Sequence, residues 1–134
     1  MLRYLAGLGG VAVTIVVLDA VWLTFAGPRI YRPVLGEILA DKIRIAPAVA
    51  FYCLYVVGVF MLAVRPAIKS GQWTEALWLG LVVGIVAYGC YDLTNQATLK
   101  IWSINITLID LTWGALLSAT GAVAGFFASR LLAK

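Results

Sequence analysis

The chain has 134 residues, 63% of them hydrophobic and 12% charged, with a formal net charge of +4. A mean hydropathy of +1.01 excludes a water-soluble globular domain, because a chain this short needs a polar surface that this composition cannot supply. The basic residues sit between apolar blocks, which fits anchoring at lipid headgroups and excludes a nucleic-acid partner, since no basic stripe is interleaved with exposed aromatics.

Histidine is absent, so the commonest metal ligand and the usual neutral-pH acid/base group are both missing. The two cysteines, Cys53 and Cys90, form no CxxC pair and no zinc pattern, and they read as buried apolar thiols. No metal site and no cofactor are expected.

Met1-Leu2-Arg3 and the apolar run after it have the outline of a signal peptide. The run is too long for an h-region and carries Asp19, so it reads as a retained first membrane helix. Tyr4 to Ala26 is long enough to cross the hydrocarbon core, and Gly27-Pro28 is expected to end it. Arg29 to Arg44 is the one long connection. Apolar residues at 31, 34, 35, 38 and 39, among Arg32, Glu37, Asp41 and Lys42, predict a short amphipathic helix in the interface, starting after Pro33. Such a segment can also fold over the mouth of a site.

Ile45 to Val64 is the second span, with Pro47 tolerated in its first turn and Arg65-Pro66 expected to end it. Trp73 to about Leu99 is the third, and Trp73 and Trp78 suit an interfacial belt. After a tight turn at Lys100 to Ser103, the fourth span runs from about Ile104 to Leu132. The fold class is an all-α membrane protein: one domain, residues 1–134, of four transmembrane helices joined up-down-up-down. Gly80 and Gly84, and the stripe Gly114, Ser118, Gly121 and Gly125, mark packing seams within the chain, with a homodimer as the competing use. Basic residues divide five against five between the two sides, so charge does not orient the bundle.

Polar residues gather at one depth. Asp19 is nine residues before Pro28, Tyr52 eight after Arg44, Asp92 eight before Lys100, and Asp110 eight after Trp102. At 1.5 Å per helical residue, all four lie about 12–14 Å from one edge. Tyr88, Asp92, Asn95 and Gln96 share a face of the third helix, Thr107, Asp110 and Gly114 a face of the fourth, and Tyr52 and Tyr55 a face of the second. If these faces converge, they line a polar pocket of Asp19, Tyr52, Tyr55, Tyr88, Asp92, Asn95, Thr107 and Asp110, with Trp22 and Trp113 beside it. An uncompensated charged acid at mid-membrane costs about 2.5–3.5 kcal/mol on insertion scales. No basic residue shares the layer, so a proton is expected to be shared or held there.

The run Tyr91-Asp92-Leu93-Thr94-Asn95-Gln96-Ala97-Thr98-Leu99-Lys100, with Asp110-Leu111-Thr112-Trp113-Gly114 and Leu18-Asp19-x-x-Trp22, resembles a family of small bacterial membrane proteins of unknown function, domain of unknown function family 2177. The resemblance covers essentially the whole chain. It implies a multi-pass protein of the bacterial inner membrane with four helices, and it brings no activity with it. Asp19, Asp92, Asn95, Asp110 and Trp113 fall on its motif positions.

Three functions compete. The acid layer without counter-ions favours a membrane protein that binds a small molecule or a proton, such as a carrier. The size, helix count, first-helix acid and balanced loop charge are similar to those of the small multidrug-resistance exporters, although the extra acids and the long first loop depart from that pattern. An intramembrane enzyme acting on a lipid or isoprenoid, with Asp92 or Asp110 as general acid, is the second reading. A structural or assembly subunit, whose acids only pair helices, is the third. The expected partners are the bilayer and a lipid or small hydrophobic ligand.

Overall fold

The computed structural model describes residues 1–36 and 38–132; Glu37, Ala133 and Lys134, which entered the expected interfacial helix and the charge count, lie outside them. Among the described residues there is no strand, and four helices are long and apolar enough to cross a membrane: α1 (Leu2–Leu35), α2 (Ile45–Ser70), α3 (Trp73–Thr98) and α4 (Ile104–Leu131).

Two expected helix ends are not ends. Pro28 lies inside α1, within a π-helical turn at Gly27–Tyr31 whose wide ring is closed by the Arg32 N–H donating to the Gly27 carbonyl. Pro66 lies inside α2, just after a second π-helical turn at Phe60–Val64, where the Arg65 N–H donates to the Phe60 carbonyl. A proline ring collides with the carbonyl four residues earlier in a regular α-helix. At Pro66 that carbonyl, Leu62, lies inside the π turn, whose extra residue shifts it; at Pro28 the π turn takes in the proline itself, and in both places the helix continues instead of stopping.

Among the described residues no separate interfacial helix is seen. Arg32–Leu35 is the last turn of α1, and Ile38 to Arg44 forms turns, bends and irregular chain. A short isolated segment cannot offset the cost of helix nucleation. At the other end of α2, Gly71 adopts φ +77° and its N–H donates to the Ala67 carbonyl at 2.8 Å, a left-handed cap that stops the helix where Pro66 did not. α3 and α4 begin and end within a residue of expectation.

α4 is the central helix: half of its most apolar window is buried, against 17–28% in the other three. The small residues explain why. A Cβ placed on Gly80 would lie 2.7 Å from the Ala119 Cα, and one on Gly84 would collide with the Gly114 carbonyl. Against α1, a Cβ on Gly10 would lie 2.8 Å from the Ala128 Cβ, and one on Gly121 would lie 2.9 Å from the Ile15 side chain. Backbones this close gain dispersion contacts that lipid tails cannot match. The small-residue seams are thus filled by helices of the same chain.

Around these seams Val11, Ile15, Val59, Val64, Leu117 and Phe126 pack as an apolar core. The outer face carries Val13, Val21, Leu54, Val82, Val86 and Leu116, all exposed, as a bundle solvated by lipid requires. Cys53 and Cys90 are free and lie on this outer face, which corrects the expectation of buried thiols. In a membrane protein the outward side is itself apolar, so a thiol has no need to turn inward.

Candidate functional site

The four helices leave a cavity of about 830 Å³ beside α1, walled by Asp19, Trp22, Tyr31 and Arg32 from α1, Phe51 from α2, Tyr88 and Tyr91 from α3, and Asp110 and Trp113 from α4. Leu39, Ala40 and Ile43 of the first connection and Trp102 of the third line it too. Leu39, Ala40 and Ile43 thus lie along the cavity without forming a helix of their own.

A chain of contacts runs along the wall. Asp19 is buried and accepts hydrogen bonds from the Tyr52 hydroxyl and, at 3.1 Å, from the Trp113 indole N–H. The Trp113 ring stacks on Trp22 with centroids 4.5 Å apart and planes 11° off parallel. The Trp22 indole N–H donates to the Tyr31 hydroxyl at 3.1 Å, and Tyr31 in turn donates to Asp110. Two carboxylates on different helices are thereby joined through two stacked indoles and a phenol. Each has aromatic N–H or O–H donors in place of a basic partner, and each aromatic buries its apolar body while using its polar atom.

Asp19 meets Trp113, which lies three residues beyond Asp110 on α4. Three residues rise about 4.5 Å along a helix, so Asp19 sits roughly one turn from the level of Asp110. The depth assigned to Asp19 from Pro28 started from a helix end that does not exist; its level is fixed by its contacts with Tyr52 and Trp113.

Asp92 differs from the other two. It is fully buried (0% exposed), and neither carboxylate oxygen has a hydrogen-bond partner among the described residues. The antiparallel register that sets Gly84 of α3 against Gly114 of α4 brings Asp92 near the level of Asp110, its neighbouring acid. One turn further along α3, the Gln96 side-chain oxygen is also buried without a partner.

Of the residues singled out from the sequence, Asp19, Trp22, Tyr88, Asp110 and Trp113 line the cavity, and Tyr52 reaches it through Asp19. Thr107 is buried and accepts from the Trp102 indole at 2.9 Å. Tyr55 turns away: its hydroxyl lies 2.5 Å from that of Ser118, which donates to the Gly114 carbonyl at 2.6 Å. Asp92 is buried outside the lining, and Asn95 is half-buried on α3, also outside it. Gly114 has no side chain because the Tyr88 ring occupies that space.

Tyr31, Phe51, Tyr91 and Trp102 were not singled out. Tyr31 is the instructive case: it reaches Asp110 because α1 continues through Pro28, and the local sequence reads as a break there.

Residues 4–127 match the family described as Predicted membrane protein (DUF2177). No curated protein matches the chain, and no solved structure does. With nearly its full length inside the match, the chain belongs to the DUF2177 family of predicted membrane proteins.

Proposed function

We propose that this protein binds a small amphiphile within the bilayer, with the apolar part against the aromatic wall and a hydrogen-bond-donating or cationic end at Asp19 and Asp110, as a carrier would. The observation that carries the reading is the cavity wall. A volume of about 830 Å³ falls in the range of small-molecule sites, and the lining is mostly aromatic and aliphatic with two buried carboxylates at fixed points. Trp22, Trp113 and Tyr88 offer ring surface suited to a cationic end, and the acids add charge complementarity. Arg32 also lines the cavity, which suits an amphiphile with a second, anionic or polar group.

The same reading places the chain across the bacterial inner membrane as an up-down-up-down bundle. Pairing of Gly7 with Gly125 and of Ile15 with Gly121, and of Gly80 with Ala119 and Gly84 with Gly114, supports that arrangement, since partner numbers fall on one helix as they rise on the other.

Tetraphenylphosphonium, a lipophilic aromatic cation, is a suitable probe. Titrated into the purified protein, it is expected to change tryptophan fluorescence saturably, with at least about tenfold weaker binding (roughly 1.4 kcal/mol) in an Asp19→Asn, Asp110→Asn double variant. A linear, non-saturating response in the wild type, with no lipid retained in native mass spectra, would sink the reading.

A structural role for Asp19 is the second reading, and one observation favours it. Asp19 accepts from Tyr52 of α2 and Trp113 of α4 at once, so it ties three helices together. On that reading Asp19→Asn lowers the melting temperature and leaves any response to the probe intact.

A further inference from the structure

Three buried acceptor oxygens of α3 have no donor among the described residues: both carboxylate oxygens of Asp92 and, four residues on along the same helix face, the side-chain oxygen of Gln96. Asp110, next to Asp92, adds further acceptors, and one of its oxygens is already engaged by Tyr31. A buried polar group with no partner costs roughly 1–3 kcal/mol, more when charged. Two neighbouring carboxylates with no donor between them repel as well as desolvate. Buried carboxylate oxygens left without a donor are satisfied by a positive species.

We propose that Asp92, with Gln96 and the neighbouring Asp110, forms a buried site for a monovalent cation, a proton or a sodium ion, adjoining the cavity at Asp110. Two carboxyls and an amide oxygen are too few hard ligands for a divalent ion, and among the described residues no group of three or more acids, cysteines or histidines could hold a metal. The ionisable groups near Asp92 are Asp110 from α4, Tyr31 from α1 and its chain neighbour Tyr91. If a proton is taken up, the Asp92 O–H donates to Asp110. If sodium is taken up, carboxylate and amide oxygens share it. In either case Asp110 links the two places: it borders the ion site on one side and the cavity, through Tyr31, on the other. The inference goes beyond the cavity reading and does not need it, because an ion can occupy Asp92 whether or not an amphiphile binds.

The test uses the full chain in sodium-free choline buffer. Infrared spectra are read for the carbonyl stretch of a protonated carboxylic acid, and radioactive sodium retention is measured in parallel, for wild type and for Asp92→Asn. A neutral-pH acid band that the variant loses identifies the proton. Saturable sodium retention that the variant loses identifies sodium. Absence of any Asp92-dependent band and of any Asp92-dependent sodium retention overturns the proposal. If Asp92→Asn does not fold, Gln96→Leu decides: a shifted band or weakened sodium retention supports the site, and spectra and retention identical to wild type overturn it. Tetraphenylphosphonium binding, measured on the same samples, reports on the cavity alone, so failure of one reading is told apart from failure of the other.

Discussion

The Tyr31 hydroxyl donates to the Asp110 carboxylate across 79 residues of sequence, and the same hydroxyl accepts from the Trp22 indole at 3.1 Å. One phenol thus fixes the end of α1 to α4 and closes one side of the cavity. Tyr31→Phe keeps the ring and removes both bonds, leaving a buried carboxylate short of a donor. A loss of about 1–3 kcal/mol is expected, read as a lower melting temperature in detergent. The fluorescence of Trp22 should change as well, since its N–H loses its acceptor.

Asp19 is held by two donors from two helices, Tyr52 and Trp113. Tyr52→Phe and Trp113→Phe should each destabilise by about 1–3 kcal/mol. Because both act on one carboxylate, the double variant should depart from additivity by at least about 0.5 kcal/mol. Strict additivity in a double-mutant cycle would show that the two bonds do not share Asp19 as their common partner.

The α3–α4 contact leaves no space at Gly84, where any Cβ meets the Gly114 carbonyl. Gly84→Leu should force the helices apart and cost more than the roughly 1–3 kcal/mol typical of overpacking, because a backbone carbonyl cannot step aside as a side chain can. Gly9 faces open space, so Gly9→Leu serves as the control and should leave the melting temperature nearly unchanged.

Gly71 ends α2 with φ +77° in open surroundings. Gly71→Ala introduces no clash, and its cost is conformational: about 1 kcal/mol for an alanine in the left-handed region. A thermal melt that matches wild type would mean that the turn relaxes to another geometry.

The four spans were readable because lipid imposes a one-dimensional rule: about 20 apolar residues per crossing, interrupted by polar loops. α3 and α4 follow that rule almost to the residue. Pro28 and Pro66 were misleading for a local reason. A proline forbids one hydrogen bond, but whether the chain then turns or takes an extra residue into a π turn depends on what the continued helix can reach. For α1 that is the Tyr31 contact with Asp110, which no window around Pro28 contains.

Sequence by itself determined that the chain is apolar enough to live in a membrane, that it crosses by four helices, and that its costly acids are Asp19, Asp92 and Asp110. These follow from composition and periodicity, which need only neighbours along the chain. Tertiary structure alone decided that Asp19 and Asp110 face a cavity with aromatic donors while Asp92 is sealed without one. Two carboxylates on identical-looking helices receive different partners according to helix rotation and crossing. For α3 and α4 those are set by the close approach of Gly80 and Gly84 to Ala119 and Gly114, one helical turn or more from the acids they position.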